Sequence, residues 1–344
     1  MSGTSLDGLD IALCRFWQEE EQWNYTILCG ETLPYSDEWQ TRLKGAQLLD
    51  GESLLKLHLD YGRYLGVQAG EFIAASGWSC ELIASHGHTV FHQPEAGFTF
   101  QAGEGQALAI ASGYQVVSDF RTADVLKGGQ GAPLVPLGDA LLFSDYDACL
   151  NIGGFANISY GWKGSRIAYD ICPANKVLNL YAEMLGKVYD PEGRIAASGS
   201  MFPELLAQLN ALPYYEQKMP KSLGEEWMKT HFLPITEPYK KQASGLLHTL
   251  THHIAQQIST EIKRSGAGRV LLSGGGALNH YLVSLLSEFC PESSLITAEK
   301  EILHFKEALI FAFLGLRRLL YLHNVLASAT GAARDHCSGL LSHP

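Results

Sequence analysis

The chain has 344 residues, 46% hydrophobic and 18% charged, with 25 Lys and Arg against 36 Asp and Glu and a formal net charge of -11. That length can bury a large core and suits two domains better than one. The acidic balance and the scattered basic residues argue against a nucleic-acid partner, whose phosphates need clustered basic surface. No apolar run approaches the ~20 residues of a membrane span, and the seven cysteines, widely spaced and without C-x-x-C, suit a reducing compartment. A cytoplasmic, enzyme-sized globule is expected.

The chain opens on MSGTSLDG, a polar, glycine-punctuated loop, followed by the alternating strand DIALCRFW. ELIASHG and QVVSDF read as further strands of the first half. Residues 149–162, CLNIGGFANISYGW, repeat the opening plan as a strand, the turn Gly153-Gly154 and a second alternating strand. A Gly-rich hairpin opening each half predicts a duplicated α/β fold with a cleft between the halves. RIAYD then reads as a strand and NKVLNLYAEMLGKV as a helix. RVLLSGGGALNHYLVSLLSEF reads as a strand, a glycine turn and an amphipathic helix, with Leu282, Leu285, Leu286 and Phe289 on one face. KEALIFAFLGLRRLLYL is apolar nearly all round, which predicts a buried helix opened by Glu307. The repeat predicts domains over 1–143 and 144–325, with a tail over 326–344 packing back on the first.

Four glycine clusters, SGTSLDG, KGGQGAP, NIGGFAN and SGGGALN, combine permissive backbone with small hydroxyl or amide side chains. Converging backbone N–H groups bind anions, and helix amino termini reinforce them. None is a Walker A loop, and none is G-x-G-x-x-G at a strand–helix junction. Each alone reads as a tight turn; four in one chain point to a nucleotide cleft. Asp170 ends RIAYD, and Asp119 and Arg121 follow the strand QVV, so both groups lie at carboxyl ends of strands, where open α/β sheets place sites. From local sequence alone Asp170 reads first as a cap for the helix near Asn175, while Asp119 with Arg121 also reads as a surface ion pair and Glu307 as a first-turn acid on a helix dipole. His86, His88 and His92 have spacing that could ligate zinc, but no nearby Cys, Asp or Glu completes a site, so no structural metal is expected. No G-x-S-x-G elbow supports a Ser hydrolase.

MSGTSLDGLDIAL, SHGHTVFHQP, SDFRTADVLKGGQGAPLVP, LNIGGFANIS, YDICPAN, PKSLGEEW, LLSGGGALN, KEALIFAFLG and SATGAARD occur in this order. Together they resemble the anhydro-N-acetylmuramic acid kinase family, from residue 1 to about 335. The resemblance implies an actin/hexokinase-type (ribonuclease H-like) fold, two α/β domains hinged over an ATP cleft. It also implies a reaction: water opens the 1,6-anhydro bridge of 1,6-anhydro-N-acetylmuramic acid, and the freed 6-oxygen takes the γ-phosphoryl of ATP. Asp170 matches the family's general base for that water, which must be ionised near neutral pH. Glu307 matches a glutamate that touches the sugar and orients the water. Arg121 matches the arginine that grips the substrate, suited to its lactyl carboxylate, with Asp119, His86 and Asn175 as further substrate contacts. Ser2, Gly3, Thr4, Ser5, Asp7, Gly8 and Asp10 match the first phosphate hairpin, and Gly153, Gly154 and Asn157 the second. Gly274, Gly275, Gly276 and Asn279 match the adenosine side. Mg²⁺ is implied as the ion that screens the phosphates, and a homodimer as the assembly.

Two departures bear on these expectations. The family reads D-T-G-P-G-N where this chain reads Asp170-Ile-Cys-Pro-Ala-Asn175, so a hydroxyl and two glycines become Ile171, Cys172 and Ala174. The family also carries a strand ahead of Met-Ser-Gly-Thr-Ser, so DIALCRFW is expected at a sheet edge or paired with another chain, and residues 1–8 are expected to order poorly without nucleotide. Three functions stay open: the anhydrosugar kinase, a related kinase for another sugar or small carboxylate, and a non-catalytic sugar- or nucleotide-binding relative. The DFR block argues against the second.

Overall fold

The computed structural model describes every residue except Thr4, Ser5, Asp7 and Pro220. The chain forms two compact units, one from Met1–Leu142 with Phe305–Pro344 and one from Phe143–His304.

In the first unit, β1 (Gly8–Glu19) and β2 (Gln22–Pro34) form an antiparallel hairpin. Its two-residue turn is Glu20-Glu21, both at positive φ (48° and 70°). That is the backbone a twisted two-residue hairpin loop demands, here met without glycine. The helix Gly51–Ser76 follows, capped by Asp50, whose Oδ1 accepts the Ser53 N–H at 2.9 Å. Leu57, Tyr61, Leu65, Ala69 and Ile73 recur every fourth residue and form its buried stripe. β3 (Ile83–Ala84) runs parallel to β6 (Val116–Ser118), while β4 (His88–Gln93) and β5 (Phe98–Ala102) form a separate hairpin.

The second unit is built on one five-stranded sheet. β7 (Ala148–Ile152), β8 (Phe155–Trp162) and β9 (Ser165–Pro173) form an antiparallel meander. β10 (Arg269–Ser273) lies parallel to β7, and β11 (Ser294–Thr297) parallel to β10, giving the order β11-β10-β7-β8-β9. This is the ribonuclease H-like order. β7 is central and its Ala148, Cys149, Leu150 and Ile152 are buried, as a strand covered on both faces requires. The helix Ala243–Ser265 packs on the sheet through Leu246, Leu250, Ile254, Ile258 and Ile262, all fully buried.

β12 (Leu340–Ser342) pairs antiparallel with β6, so the end of the chain completes a three-stranded sheet β12-β6-β3 in the first unit. The long apolar helix spans Lys300–Leu319. Glu307 therefore lies two turns inside it and does not open it; the polar KEILHF prefix is helical as well, because nothing in it breaks a helix.

The two halves differ where β7 stands in the second. In the first unit, β1 and β3 belong to different sheets. On its far edge, among the described residues, β1 pairs only at its start, where Ser2 bridges Leu9 and the Met1 ammonium donates to the Asp10 carbonyl at 2.7 Å. Beyond that point a cavity of about 420 Å³ runs along Leu9–Phe16 and Glu81–Ser85, floored by Leu65 and Ile73 and roofed by Phe311 and Leu316. DIALCRFW is thus at a sheet edge. The expectation for residues 1–8 rests on Thr4, Ser5 and Asp7, which lie outside the described residues.

Candidate active site

In the second unit, Asp170 lies within β9 rather than at its end, opposite Asn157 of β8. The register shifts between Ala156 and Asn157, so that Ile171 is the extra residue of a β-bulge. Ile171 and Cys172 are both buried in the core. The residues that depart from the family pattern are therefore accommodated by a bulge, which re-aims side chains along a strand. Asp170 does not cap the following helix: Ala174 holds that position. Its Oδ2 instead accepts the Leu223 N–H at 2.9 Å. Burial pushes its carboxyl above the ordinary range, and that N–H partly offsets the rise.

The glycine turns of the same unit pack on the ends of its strands. Gly153-Gly154 links β7 to β8, and the helix Asn175–Glu183 starts against it: the Ala174 and Asn175 N–H groups donate to Gly154 and Gly153 carbonyls at 2.8 and 3.0 Å. The Asn175 side-chain amide is spent on the Ile152 carbonyl at 3.1 Å. The turn after β10 packs as closely. Gly274 has φ 78°, and a Cβ on Gly276 would stand 2.2 Å from Ile152 Cγ2, so no larger residue fits without a shift. Asn279 caps the helix His280–Phe289, its Oδ1 accepting the Leu282 N–H at 3.0 Å. Two of the amides assigned to ligands thus hold the scaffold.

In the first unit, Arg121 Nε donates to His86 Nε2 at 2.8 Å and its Nη1 to the Gly131 carbonyl at 2.7 Å. Burial pulls this guanidinium down to about 10, opposed by the nearby charges of Glu307 and Asp124. It remains charged at neutral pH. His86 is buried and packs edge-on against Phe311. Burial first, then the Arg121 charge, drives its pKa well below the ordinary value. Asp119, at φ 53°, does not serve as the ion-pair partner of a surface strand end; its Oδ1 accepts the Thr122 N–H at 3.2 Å and so starts the helix Thr122–Leu126. His88 and His92 take other partners, Ser2 Oγ and Thr99 Oγ1, both at 3.1 Å. Among the described residues, no group of three or more His, Cys, Asp or Glu could hold a metal ion.

The opening loop is described in part. Ser2 is buried on His88, Gly3 is exposed, and Gly8 begins β1. Asp10 Oδ1 accepts from Thr32 Oγ1 at 2.6 Å across the hairpin. Thr4, Ser5 and Asp7, assigned to the same loop, lie outside the described residues.

One buried acid was missed. Asp124 is fully buried; its Oδ2 accepts the Gly131 N–H at 2.7 Å and its Oδ1 the Thr330 hydroxyl at 2.8 Å. It ties KGGQGAP to SATGAARD, and that loop carries the Gly131 carbonyl on which Arg121 rests. The signal was present in the sequence as two quoted blocks, but nothing local links residues 124 and 330.

One unit thus holds a desolvated carboxylate on a bulged strand, and the other a buried arginine within the electrostatic reach of Glu307. Comparison with known proteins narrows the class. The model of the family described as anhydro-N-acetylmuramic acid kinase matches residues 1–343. A protein of that name from Francisella tularensis subsp. novicida is 34% identical, covering 96% of this chain and 94% of its own length. Another from Trichormus variabilis is 34% identical over 97% of this chain and 94% of its own. A ROK family glucokinase from Streptomyces griseus, solved with glucose and AMPPNP, is similar at 12% identity and a TM-score of 0.34, covering 73% of this chain and 88% of that one. The chain belongs to the anhydro-N-acetylmuramic acid kinase family: it is an ATP-using sugar kinase. No helix among the described residues is long and apolar enough to cross a membrane.

Proposed function

We propose that Asp170 is the general base of a hydrolysing kinase. It takes a proton from a water that attacks the anomeric carbon of 1,6-anhydro-N-acetylmuramic acid. The anhydro bridge breaks, and its freed 6-oxygen takes the γ-phosphoryl of ATP, giving N-acetylmuramic acid 6-phosphate and ADP. The observation that carries this reading is the setting of Asp170, a carboxylate raised in pKa by burial, with one oxygen held by the Leu223 N–H. A raised pKa makes a stronger base.

Glu307, exposed on its helix, and Arg121, with His86 and Asp119 beside it, take the sugar, Arg121 through the lactyl carboxylate. Gly153, Gly154, Asn157 and the loop from Ser2 to Asp10 take the phosphates, and Gly274–Gly276 the adenosine side. Asn175 and Asn279 act by holding these turns, since their side chains are engaged with the scaffold. Mg²⁺ fits the donors present: a nucleotide-borne ion needs only one or two protein oxygens beside the phosphates and water. Asp10, partly exposed, would offer the carboxylate oxygen that Thr32 does not hold. The ion's contribution is to screen phosphate charge. Turnover of peptidoglycan fragments in the cytoplasm, by a homodimer, is the setting this reading implies.

The test is ADP release with and without the anhydrosugar, for the unaltered chain and for Asp170→Asn. Sugar-dependent release that falls at least ~10²-fold in D170N, with substrate binding retained, supports the reading. Release that ignores the sugar, or near-normal turnover in D170N, contradicts it.

A further inference from the structure

Three atoms of Asp170 are gripped by one short segment of the second unit. The Tyr214 hydroxyl donates to the Asp170 carbonyl at 2.7 Å. The Asp170 N–H donates to the Lys221 carbonyl at 3.1 Å, and the Leu223 N–H to Asp170 Oδ2 at 2.9 Å. Lys221 and Leu223 belong to PKSLGEEW, a block without a task in the reading of the site.

What closes the segment on itself is the Lys221 side chain. It is 8% exposed, unusual for a lysine. Its Nζ donates to the Tyr214 carbonyl at 3.2 Å and lies 4.6 Å from the centroid of the Tyr214 ring. Tyr214, Lys221 and Leu223 thus reach Asp170 together. The acid facing Lys221 is Glu261, which is buried and engaged by the Tyr169 hydroxyl at 2.8 Å and by Arg264 at 3.0 Å. Around Asp170 the other titratable groups are Tyr214 and Cys172, and burial raises both, so neither ionises at neutral pH.

We propose that Lys221 is a positioning residue for the base, holding Tyr214 and Leu223 in the clamp that keeps the Leu223 N–H on Asp170 Oδ2. The clamp leaves Oδ1 as the oxygen that takes the proton from water. This rests on the reading of Asp170 as the base. Losing the clamp removes the one hydrogen bond that opposes the burial-driven rise of the Asp170 pKa, so the base would be lost to protonation at a higher pH.

The experiment is the pH dependence of kcat, with KM for both substrates, in Lys221→Met, Tyr214→Phe, Asp170→Asn and the unaltered chain. In K221M, kcat at neutral pH falls ~10-fold with either KM changed less than ~3-fold, and the acid limb of kcat moves to higher pH. Y214F, which keeps the lysine, moves the limb the same way by less. A K221M chain that melts cooperatively but keeps the acid limb of the unaltered chain, or that loses only KM, overturns the proposal. If K221M does not fold, Y214F decides by the same criterion. An inactive D170N beside unshifted limbs defeats this proposal alone; an active D170N defeats the reading of Asp170 beneath it.

Discussion

Arg121 Nε donates to His86 Nε2 at 2.8 Å, while His86 Nδ1 stands 3.0 Å from the Gly87 carbonyl. An acceptor at Nε2 and a donor at Nδ1 define one neutral tautomer. The histidine works as a fixed brace that aims the guanidinium. Protonating it would place two cations face to face in a buried site.

A pH dependence of stability follows. The His86 pKa is held well below its usual value by burial and by Arg121, and burial pulls His253 down to about 3. The unfolded imidazoles take protons near pH ~6.5, the folded ones only at lower pH. Between those values the unfolded chain binds more protons, so this stability is full above pH ~6.5 and is lost as the pH falls. Tm should drop between pH 7 and 5, and His86→Gln, which keeps an acceptor for Arg121, should flatten part of that drop. An unchanged slope in H86Q would contradict the assignment.

Thr330→Val tests the tie between the two loop blocks. It removes the hydroxyl that donates to fully buried Asp124. A buried carboxylate left short of a partner costs about 1–3 kcal/mol. Urea unfolding should show that loss, and KM for the sugar should rise because the loop supporting Arg121 loosens. Stability within 0.5 kcal/mol of the parent, on the scale of an ordinary surface change, would count against it.

Adjacent glycines give a contrast in the turn proposed for the adenosine side. A Cβ at position 276 meets Ile152 Cγ2 at 2.2 Å, whereas at 275 the nearest atom is Asn175 Nδ2 at 3.6 Å. Gly276→Ala should therefore cost about 1–3 kcal/mol and raise KM for ATP, while Gly275→Ala should be tolerated. Equal effects on ATP saturation curves would remove the steric argument.

The cavity beside β1 predicts a gain. Five apolar β-branched residues joined to the Met1 nitrogen would continue the pairing begun by Ser2 with Leu9 and run between β1 and β3. Apolar burial there should raise Tm, slow amide exchange over Ile11–Phe16, and tighten ATP binding by holding the opening loop. A Gly/Ser extension of equal length should do none of these. Equal melting and exchange for the two extensions would show that the cavity does not seat a strand.

Much of this architecture was legible because it is local. The hairpin at residues 149–162 announces itself by its glycine turn and DIALCRFW by alternation, and the strand, turn and helix from 269 to 289 lie where the pattern puts them, whereas the turn Glu20-Glu21 that joins β1 to β2 carries no glycine signal. The helix Gly51–Ser76 was not read, because Gly62 and Gly66 resemble breakers. The structure gives their reason: a Cβ at either would stand 2.5 Å from the backbone oxygens of Glu104 and Leu108. The bulge at Ile171 was equally hidden, since two-against-one pairing depends on the partner strand. Asp170 was found by its place in a strand, but the clamp on it comes from residues 44 to 53 positions away. Asp124 and Thr330 are 206 residues apart.

The central claim is that water, activated by Asp170, opens the anhydro bridge in the same turnover that phosphorylates the sugar. Reaction in ¹⁸O-labelled water with 1,6-anhydro-N-acetylmuramic acid and ATP, followed by mass analysis of the separated products, tests it directly. The account predicts one label on the anomeric hydroxyl and none on the transferred phosphate, with the labelled product lost in Asp170→Asn. Label on the phosphate, or a phosphorylated sugar formed without label, would contradict it.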